Sequence, residues 1–254
     1  MVRYRGAPER RAEIIRRLGE DGYLSSRHAA AVLEVSEMTI RRDLARLEAE
    51  GAVRRVPGGA ALAGTPTAEN FDRRAEREQA PKLAIARAAV ANLGQVETVA
   101  LDAGTTVAPA AALLPTGLRV VSHSLPVLTA CEDRDDLEVI GLGGTYQHQT
   151  RSFGGPQTRR AAEELAVDVA LLSAVAIGTD GFYCTVAWEA EMKQVLHARA
   201  RRTLVLADHT KTRQQAPLRF LPLTEVDTVV TDRGIDPGTA RTWREQRISV
   251  VVAE

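Results

Sequence analysis

The sequence predicts an α/β protein in two parts, a small N-terminal winged helix-turn-helix followed by a larger α/β domain. Three observations carry that prediction. Three helical signals and a Pro-Gly-Gly turn between short apolar strands lie before residue 63. A polar stretch, AGTPTAENFDRRAEREQAP, comes next. Beyond it, short apolar strands alternate with helical segments, the signature of βαβ units in a mostly parallel sheet covered on both faces.

In the first part, Ile14, Ile15 and Leu18 form an apolar stripe. Ser25 or Ser26 caps a second helix that carries Ala29, Ala30 and Leu33 inward. Glu34-Val35-Ser36 makes a short turn, and Ser36 caps a third, longer helix. A short helix, a tight turn and a longer helix form the helix-turn-helix arrangement. Gly51 stops the third helix, and AVRRVPGGAAL reads as a hairpin, the wing. On a helical wheel Ile40, Leu44 and Leu47 share one stripe, with Met38, Thr39, Arg42, Ala45, Arg46 and Ala49 around the opposite side and Arg41 on the flank. A helix entering the major groove reaches base edges with its N-terminal residues, while arginines bond phosphate or guanine. The candidate DNA contacts are therefore Ser36, Met38, Thr39, Arg41, Arg42 and Arg46, with Arg54 and Arg55 on the wing. Taken alone, the helix also reads as a solvated amphipathic surface with Asp43 and Arg46 as ordinary charges. The turn, the preceding helix and the arginine wing together favour DNA.

The expected domains are residues 1–62, a linker over 63–81, and 82–254. In the last, KLAIARAAVANL, TTVAPAAALL, TRRAAEELA and EAEMKQVLHARA read as helices. ETVALD, LRVVSHS, LEVIGLGG, VDVALLSAVA, RRTLVLAD, VDTVVTD and ISVVVA read as strands. Within LDAGTTV, Asp102 ends a strand, Gly104 allows a tight turn, and Thr105 and Thr106 open a helix. Free amides and hydroxyls at such a point make an anion cradle, or simply an unoccupied strand-to-helix turn. Gly143 and Gly144 form a second glycine-rich turn where backbone can approach a ligand.

Composition narrows the classes. The 254 residues are 44% hydrophobic, enough for a sizeable core. No apolar run approaches the roughly 20 residues of a membrane span, and MVRYRGAPERR lacks a secretory apolar stretch. Cys131 and Cys184 suggest no disulfide framework, and the five histidines show no metal-ligand spacing. The expectation is a cytoplasmic protein with no metal and no cofactor. Residues 1–62 hold 12 arginines, no lysine and 9 acidic residues, a mild positive bias.

The stretch RRAEIIRRLGEDGYLSSRHAAAVLEVSEMTIRRDLARLEAEGAVRRVPGGAAL resembles the DNA-binding domain of the DeoR family of bacterial transcriptional regulators, with TIRRDL its most specific piece. Pro57 departs from the histidine the family usually places before the Gly-Gly of the wing. The resemblance runs on through LDAGTTV, VVSHSLPVL, GLGGTYQ, EMKQVL and LADHTK. It implies a sensor domain similar to the ribose-5-phosphate isomerase fold, taking a phosphorylated sugar or related metabolite. Carried over residue by residue, the ligand candidates are Asp102, Gly104, Thr105, Thr106, Ser122, His123, Gly143, Gly144, Lys193 and Lys211. At Ser173-Ala174-Val175-Ala176 the family often has a Gly-Ala-Asp-Gly-like segment, so Val175 replaces an acid, with Asp180 nearby.

Three functions remain open on the sequence. One is a regulator, expected to be a repressor, that binds a double-stranded DNA operator and responds to a sugar phosphate. Another is a sugar-phosphate isomerase-like enzyme, for which Asp102, Asp180, Glu189 and Glu191 are the remaining candidate acids. The third is a DNA-binding regulator whose C-terminal domain only assembles subunits. A single winged helix covers too little DNA for tight specific binding, so a homo-oligomer, dimer or tetramer, is expected.

Overall fold

The computed structural model describes residues 6–21, 24–56, 59–62 and 71–254. They fall into two compact units.

The first unit contains α1 (Ala7–Asp21), β1 (Leu24–Ser25), α2 (Ser26–Val32), α3 (Glu37–Ala49), β2 (Val53–Val56) and β3 (Gly59–Leu62). Ser25 caps α2, its hydroxyl accepting from the His28 amide at 3.0 Å, and Ser36 caps α3 by accepting from the Thr39 amide at 3.1 Å. Each cap satisfies an amide that the first helical turn leaves without a partner. Ile14 and Leu18 of α1, Ala29 and Leu33 of α2 and its end, and Ile40, Leu44 and Leu47 of α3 close one apolar core with Val53 and Ala60 of the wing. The three-stranded sheet runs β1-β3-β2, with Arg54 opposite Ala61 and Arg55 opposite Ala60. β1 is an element that the sequence did not suggest. Gly59 permits it, because a Cβ there would stand 2.2 Å from the Leu24 carbonyl oxygen. Pro57, the departure at the wing tip, lies outside the described residues.

The second unit corrects the expected linker. Residues 71–81 are largely helical: α4 (Phe71–Glu76) is followed by α5 (Gln79–Ala91). Phe71 is buried and its amide donates to the Gln149 carbonyl at 2.9 Å. One aromatic side chain thus anchors a stretch whose charged composition reads as solvated. Lys82 is buried as well, donating to the carbonyls of Arg74 and Arg77 where α4 ends. Residues 63–70 lie outside the described residues.

The seven-stranded sheet consists of β4 (Thr98–Leu101), β5 (Arg119–Ser122), β6 (Glu138–Gly141), β9 (Val167–Ser173), β12 (Ala200–Leu206), β14 (Thr228–Asp232) and β15 (Ser249–Ala253), in the order β15-β14-β12-β9-β4-β5-β6. Every pairing is parallel. Between β6 and β9 come the β7 (Thr145–Gln147) and β8 (Ser152–Gly154) hairpin and α8 (Pro156–Glu163). A small antiparallel sheet of β10 (Ala176–Ile177), β11 (Gly181–Cys184) and β13 (Leu218–Pro222) is a second feature that periodicity did not reveal.

Alternation along the strands splits the core. Val99, Leu101, Val120, Val169 and Leu171 pack with Ile85, Ala86 and Ala89 of α5, Ala110 of α6 (Ala108–Ala111) and Val127 of α7 (Leu125–Ala130). Ala100, Val121, Ala170, Leu172 and Val205 pack with Ala162 of α8, Met192 and Leu196 of α9 (Ala187–Arg199), and Trp243 of α10 (Pro237–Glu245). Successive strand residues face opposite sides, so apolar runs at every position give a sheet covered twice. The helix expected over TTVAPAAALL is cut to Ala108–Ala111, with Thr105 and Thr106 in the turn before it. The Gly104 carbonyl accepts from Val107 at 3.1 Å and Ala108 at 2.9 Å, so the helical pattern starts late.

Candidate functional site

In the first unit α3 presents two faces. Ile40, Leu44 and Leu47 are buried, while Met38, Arg41, Arg42 and Arg46 are exposed and Thr39 is half-buried. Thr39 is further held by a 2.8 Å hydroxyl contact with Ser36. Arg41 donates to Glu37 at 2.9 Å and Arg46 to Glu50 at 2.6 Å. Arg42 alone of the arginines in α3 has no hydrogen-bond or ion-pair partner among the described residues, so its guanidinium is ready for one outside the chain. Arg54 and Arg55 are exposed on the wing, with the Arg55 amide donating to Glu48 at 2.9 Å. Asp43 differs from the surface-charge reading. It is buried and paired with Arg10 of α1 at 2.5 Å, so the acid inside TIRRDL fastens α3 to α1. Its place on the wheel, on the border of the Ile40–Leu44–Leu47 stripe, was the available signal.

In the second unit the candidate ligand residues gather at the carboxyl ends of the strands. β4 and β9 are neighbours from which the chain proceeds in opposite directions across the sheet, β5 and β6 one way and β12, β14 and β15 the other. This is a topological switch point, where loops diverge and leave a crevice for ligands in open parallel sheets. Asp102 follows β4 directly and is buried. Its Oδ2 accepts from Lys193 of α9, from the Ser173 hydroxyl at 2.7 Å and from the Ser173 amide at 3.0 Å. Lys193 also donates to Ser173 Oγ at 3.1 Å and lies 5.4 Å from the Phe220 ring centroid. Burial pushes the Asp102 carboxyl upward, but the ammonium and the hydrogen bonds overcome it and hold the group below its ordinary range. Gly104 makes the approach possible, since a Cβ there would stand 2.0 Å from Ser173 Oγ.

One neighbour of Asp102 is a polar side chain without a partner. His123 is completely buried, its Nε2 is 3.9 Å from Asp102 Oδ1, and neither ring nitrogen has a hydrogen-bond partner among the described residues. Burial holds its pKa down at about 4, so the ring is neutral at pH 7. Thr105 and Thr106 are buried, and the amides of residues 104–106 have no acceptor among the described residues. Ser122 is engaged otherwise, donating to the Leu101 carbonyl at 2.7 Å and accepting from the Ser124 amide at 3.1 Å. Gly143 and Gly144 follow β6; the Thr158 hydroxyl donates to the Gly143 carbonyl at 2.8 Å, and Gly144 has a packing reason, because a Cβ there would stand 2.1 Å from that hydroxyl oxygen. Lys211 follows β12, its Nζ 3.8 Å from Asp208 Oδ2. His209 in the same segment is fixed by Asp232, its amide at 2.7 Å and its Nδ1 at 2.8 Å.

Sequence reasoning missed Ser173, Lys82 and Arg74 at this edge. It weighed Glu189 only as a catalytic acid. Glu189 is buried, and burial raises its pKa against the pull of Lys193 and Arg74. Val175 is half-buried against the core, and Asp180 does not stand in for the missing acid: it is exposed, bonded by the Tyr183 hydroxyl at 2.6 Å and Arg219 at 2.9 Å. Glu191 is exposed and faces Arg159 at 3.2 Å. Among the described residues no cluster of His, Cys, Asp and Glu is placed to hold a metal, and no helix is long and apolar enough to cross a membrane.

A winged helix-turn-helix preceding a parallel α/β unit with a charged cluster at its switch point defines a DNA-binding regulator with a sensor domain. Residues 10–65 match the DeoR-like helix-turn-helix domain and residues 77–233 the DeoR C terminal sensor domain. The chain belongs to the DeoR family of transcriptional regulators. It is 30% identical over 249 residues to the uncharacterized HTH-type transcriptional regulator YgbI of Escherichia coli K12, covering 97% of this chain and 98% of that one. It is also 30% identical over 232 residues to the HTH-type transcriptional repressor GlcR of Bacillus subtilis 168, covering 89% and 88%. These relatives are named as regulators and repressors, which sets the isomerase reading aside. A solved D-ribose-5-phosphate isomerase in complex with phospho-erythronic acid gives a TM-score of 0.38 at 18% identity over 51% of this chain and 52% of that chain. That likeness is too low to carry the fold, which rests on strand order and the family match.

Proposed function

We propose that the chain is a homo-oligomeric cytoplasmic repressor whose operator affinity is set by a phosphorylated sugar or related anionic metabolite. The carrying observation is the turn after β4, where the amides of residues 104–106 and two threonine hydroxyls stand beside the buried Asp102–Lys193–Ser173 cluster and the unpartnered His123 ring. In this reading the turn receives the anionic group, Lys211 supplies counter-charge, and Asp102 and His123 meet the ligand's hydroxyls. On the DNA side Arg42 reads a base edge and Arg54 and Arg55 engage the backbone.

Operator release by a panel of phosphorylated sugars tests the reading, with wild type compared against Lys211→Ala and Thr105→Val. Loss of one charge-assisted hydrogen bond is worth about 1.5–3 kcal/mol, so both variants should need roughly ten- to hundred-fold more effector. DNA affinity without effector should stay unchanged. A compound that releases wild type and both variants at one concentration would overturn the cradle. The repressor assignment itself fails if deleting the gene lowers transcription of its target.

A further inference from the structure

Arg74 lies on α4, the first described element after the winged unit in chain order. Its Nε and Nη2 atoms are shut off from solvent and have no hydrogen-bond partner among the described residues. Arg74 as a whole is half-buried, but that Nε–Nη2 edge of the guanidinium has lost water and gained nothing in exchange, which is costly unless an acceptor completes it. No carbonyl at the end of α4 accepts from Nε or Nη2; those of Arg74 and Arg77 accept from Lys82. The electrostatic surroundings show where the side chain stands. Glu189 experiences the charges of Lys193, Arg74 and Asp102, while Lys82 experiences those of Lys211, Asp208, Arg74 and Glu78. Arg74 is common to both sets, so its guanidinium lies near Glu189 and Lys82, whose other charged neighbours include Lys193, Asp102 and Lys211. Burial and the neighbouring Lys211 hold Lys82 at about 8, a further sign that cations crowd this edge.

Glu189 does not complete the guanidinium. It makes no hydrogen bond or ion pair with Arg74 in the structure, and burial favours its uncharged form. Two sets of buried, unpartnered polar atoms are therefore prepared for an incoming partner: the ring nitrogens of His123 and the Nε–Nη2 edge of Arg74. Arg74 is a planar double donor, the geometry that fits a carboxylate or phosphate with two parallel hydrogen bonds.

We propose that Arg74 is an anion-binding residue of the sensor site, delivered by α4, so that ligand capture and the seating of α4 are a single event. The proposal rests on the reading that an anionic metabolite occupies the Asp102 edge. It adds the physical link from that ligand to the segment leading toward the DNA-binding unit. A ligand that bonds Arg74 stabilises one placement of α4 over others, and a ligand shifts an equilibrium only through such a differential contact.

The test is thermal-shift and calorimetric titration of the full chain with inorganic phosphate, ribose 5-phosphate and glucose 6-phosphate, for wild type, Arg74→Gln and Arg74→Lys. The expected result is that a probe binding wild type binds Arg74→Gln roughly ten- to hundred-fold more weakly, with Arg74→Lys between them. Without probe, Arg74→Gln should melt no lower than wild type, since it removes a buried charge that has no partner. In hydrogen exchange, the probe should protect the amides of residues 71–77 in wild type and not in Arg74→Gln. Equal probe affinity for wild type and Arg74→Gln overturns the proposal and leaves the ligand site intact. A fall in the probe-free melting temperature of both variants overturns it as well, because it marks Arg74 as a structural ion pair. If wild type binds none of the three probes, the sugar-phosphate reading fails and this inference falls with it.

Discussion

Asp43→Ala should separate stability from DNA reading within a single helix. Asp43 and Arg10 pair at 2.5 Å, with only 8% and 13% of their side chains exposed. Removing the carboxylate leaves a guanidinium buried without its partner. Breaking a fully buried pair this way costs about 3–5 kcal/mol. Arg10 keeps some water contact, so the cost falls at or just below the bottom of that range, about 2–3 kcal/mol. At roughly 4–8 °C per kcal/mol for a domain of this size, the winged unit should melt roughly 10–20 °C lower. The two tryptophans, Trp188 and Trp243, both belong to the second unit. Far-UV circular dichroism should therefore show an early loss of helix while the tryptophan transition stays in place. Replacing both partners, Arg10→Met with Asp43→Leu, should recover most of the loss, because two apolar side chains leave no charge stranded. A circular-dichroism melt superimposable on wild type, or a double variant no better than Asp43→Ala, would refute the reasoning.

Arg42→Ala should weaken operator binding by about 1–3 kcal/mol if the side chain reads a base, with melting unchanged because Arg42 is exposed; gel-shift titration decides, and equal affinity sinks the assignment. Leu44→Ala should do the opposite and destabilise the winged unit by about 2–5 kcal/mol through a cavity, read by the same circular-dichroism melt. His123 titrates at about 4 in the folded chain against an ordinary value of 6.5. The unfolded chain therefore takes the proton first as pH falls, and stability is lost from pH 6.5 down to about 4, in total on the order of 3 kcal/mol. Urea melts at pH 7 and 5 should show that slope for wild type and a flatter one for His123→Phe; identical slopes would remove His123 as its source. Gly104→Ala should push Ser173 off Asp102, since the new Cβ would stand 2.0 Å from Ser173 Oγ, and should abolish any thermal shift produced by a sugar phosphate.

The sequence by itself determined the helix-turn-helix, the wing and the strands of the seven-stranded sheet, with most of their order. Apolar residues at helical spacing in α3, and continuous apolar runs such as VALLS and TLVL, admit one kind of burial each. Serine caps at Ser25 and Ser36 are equally local, since each hydroxyl meets an amide three residues on. Asp102, Thr105 and Thr106 could be named because their motif stands at a strand end, and Lys193 and Lys211 because their segments resemble the family's. What only the tertiary structure decided is pairing across distance. Lys193 and Asp102 are 91 residues apart, and Ser173 and Asp102 are 71 apart. Nothing in either segment specifies that β4 and β9 adjoin, because strand neighbours are chosen by how the whole sheet packs. Burial of charge is non-local for the same reason. Asp43, Lys82 and Arg74 look like solvated charges in sequence, and become structural or receptive groups only where another element excludes water from them. The short antiparallel sheet and the helix at Phe71 escaped notice because strands of two to five residues, and a helix anchored by one aromatic, carry too little periodicity to stand apart from loop.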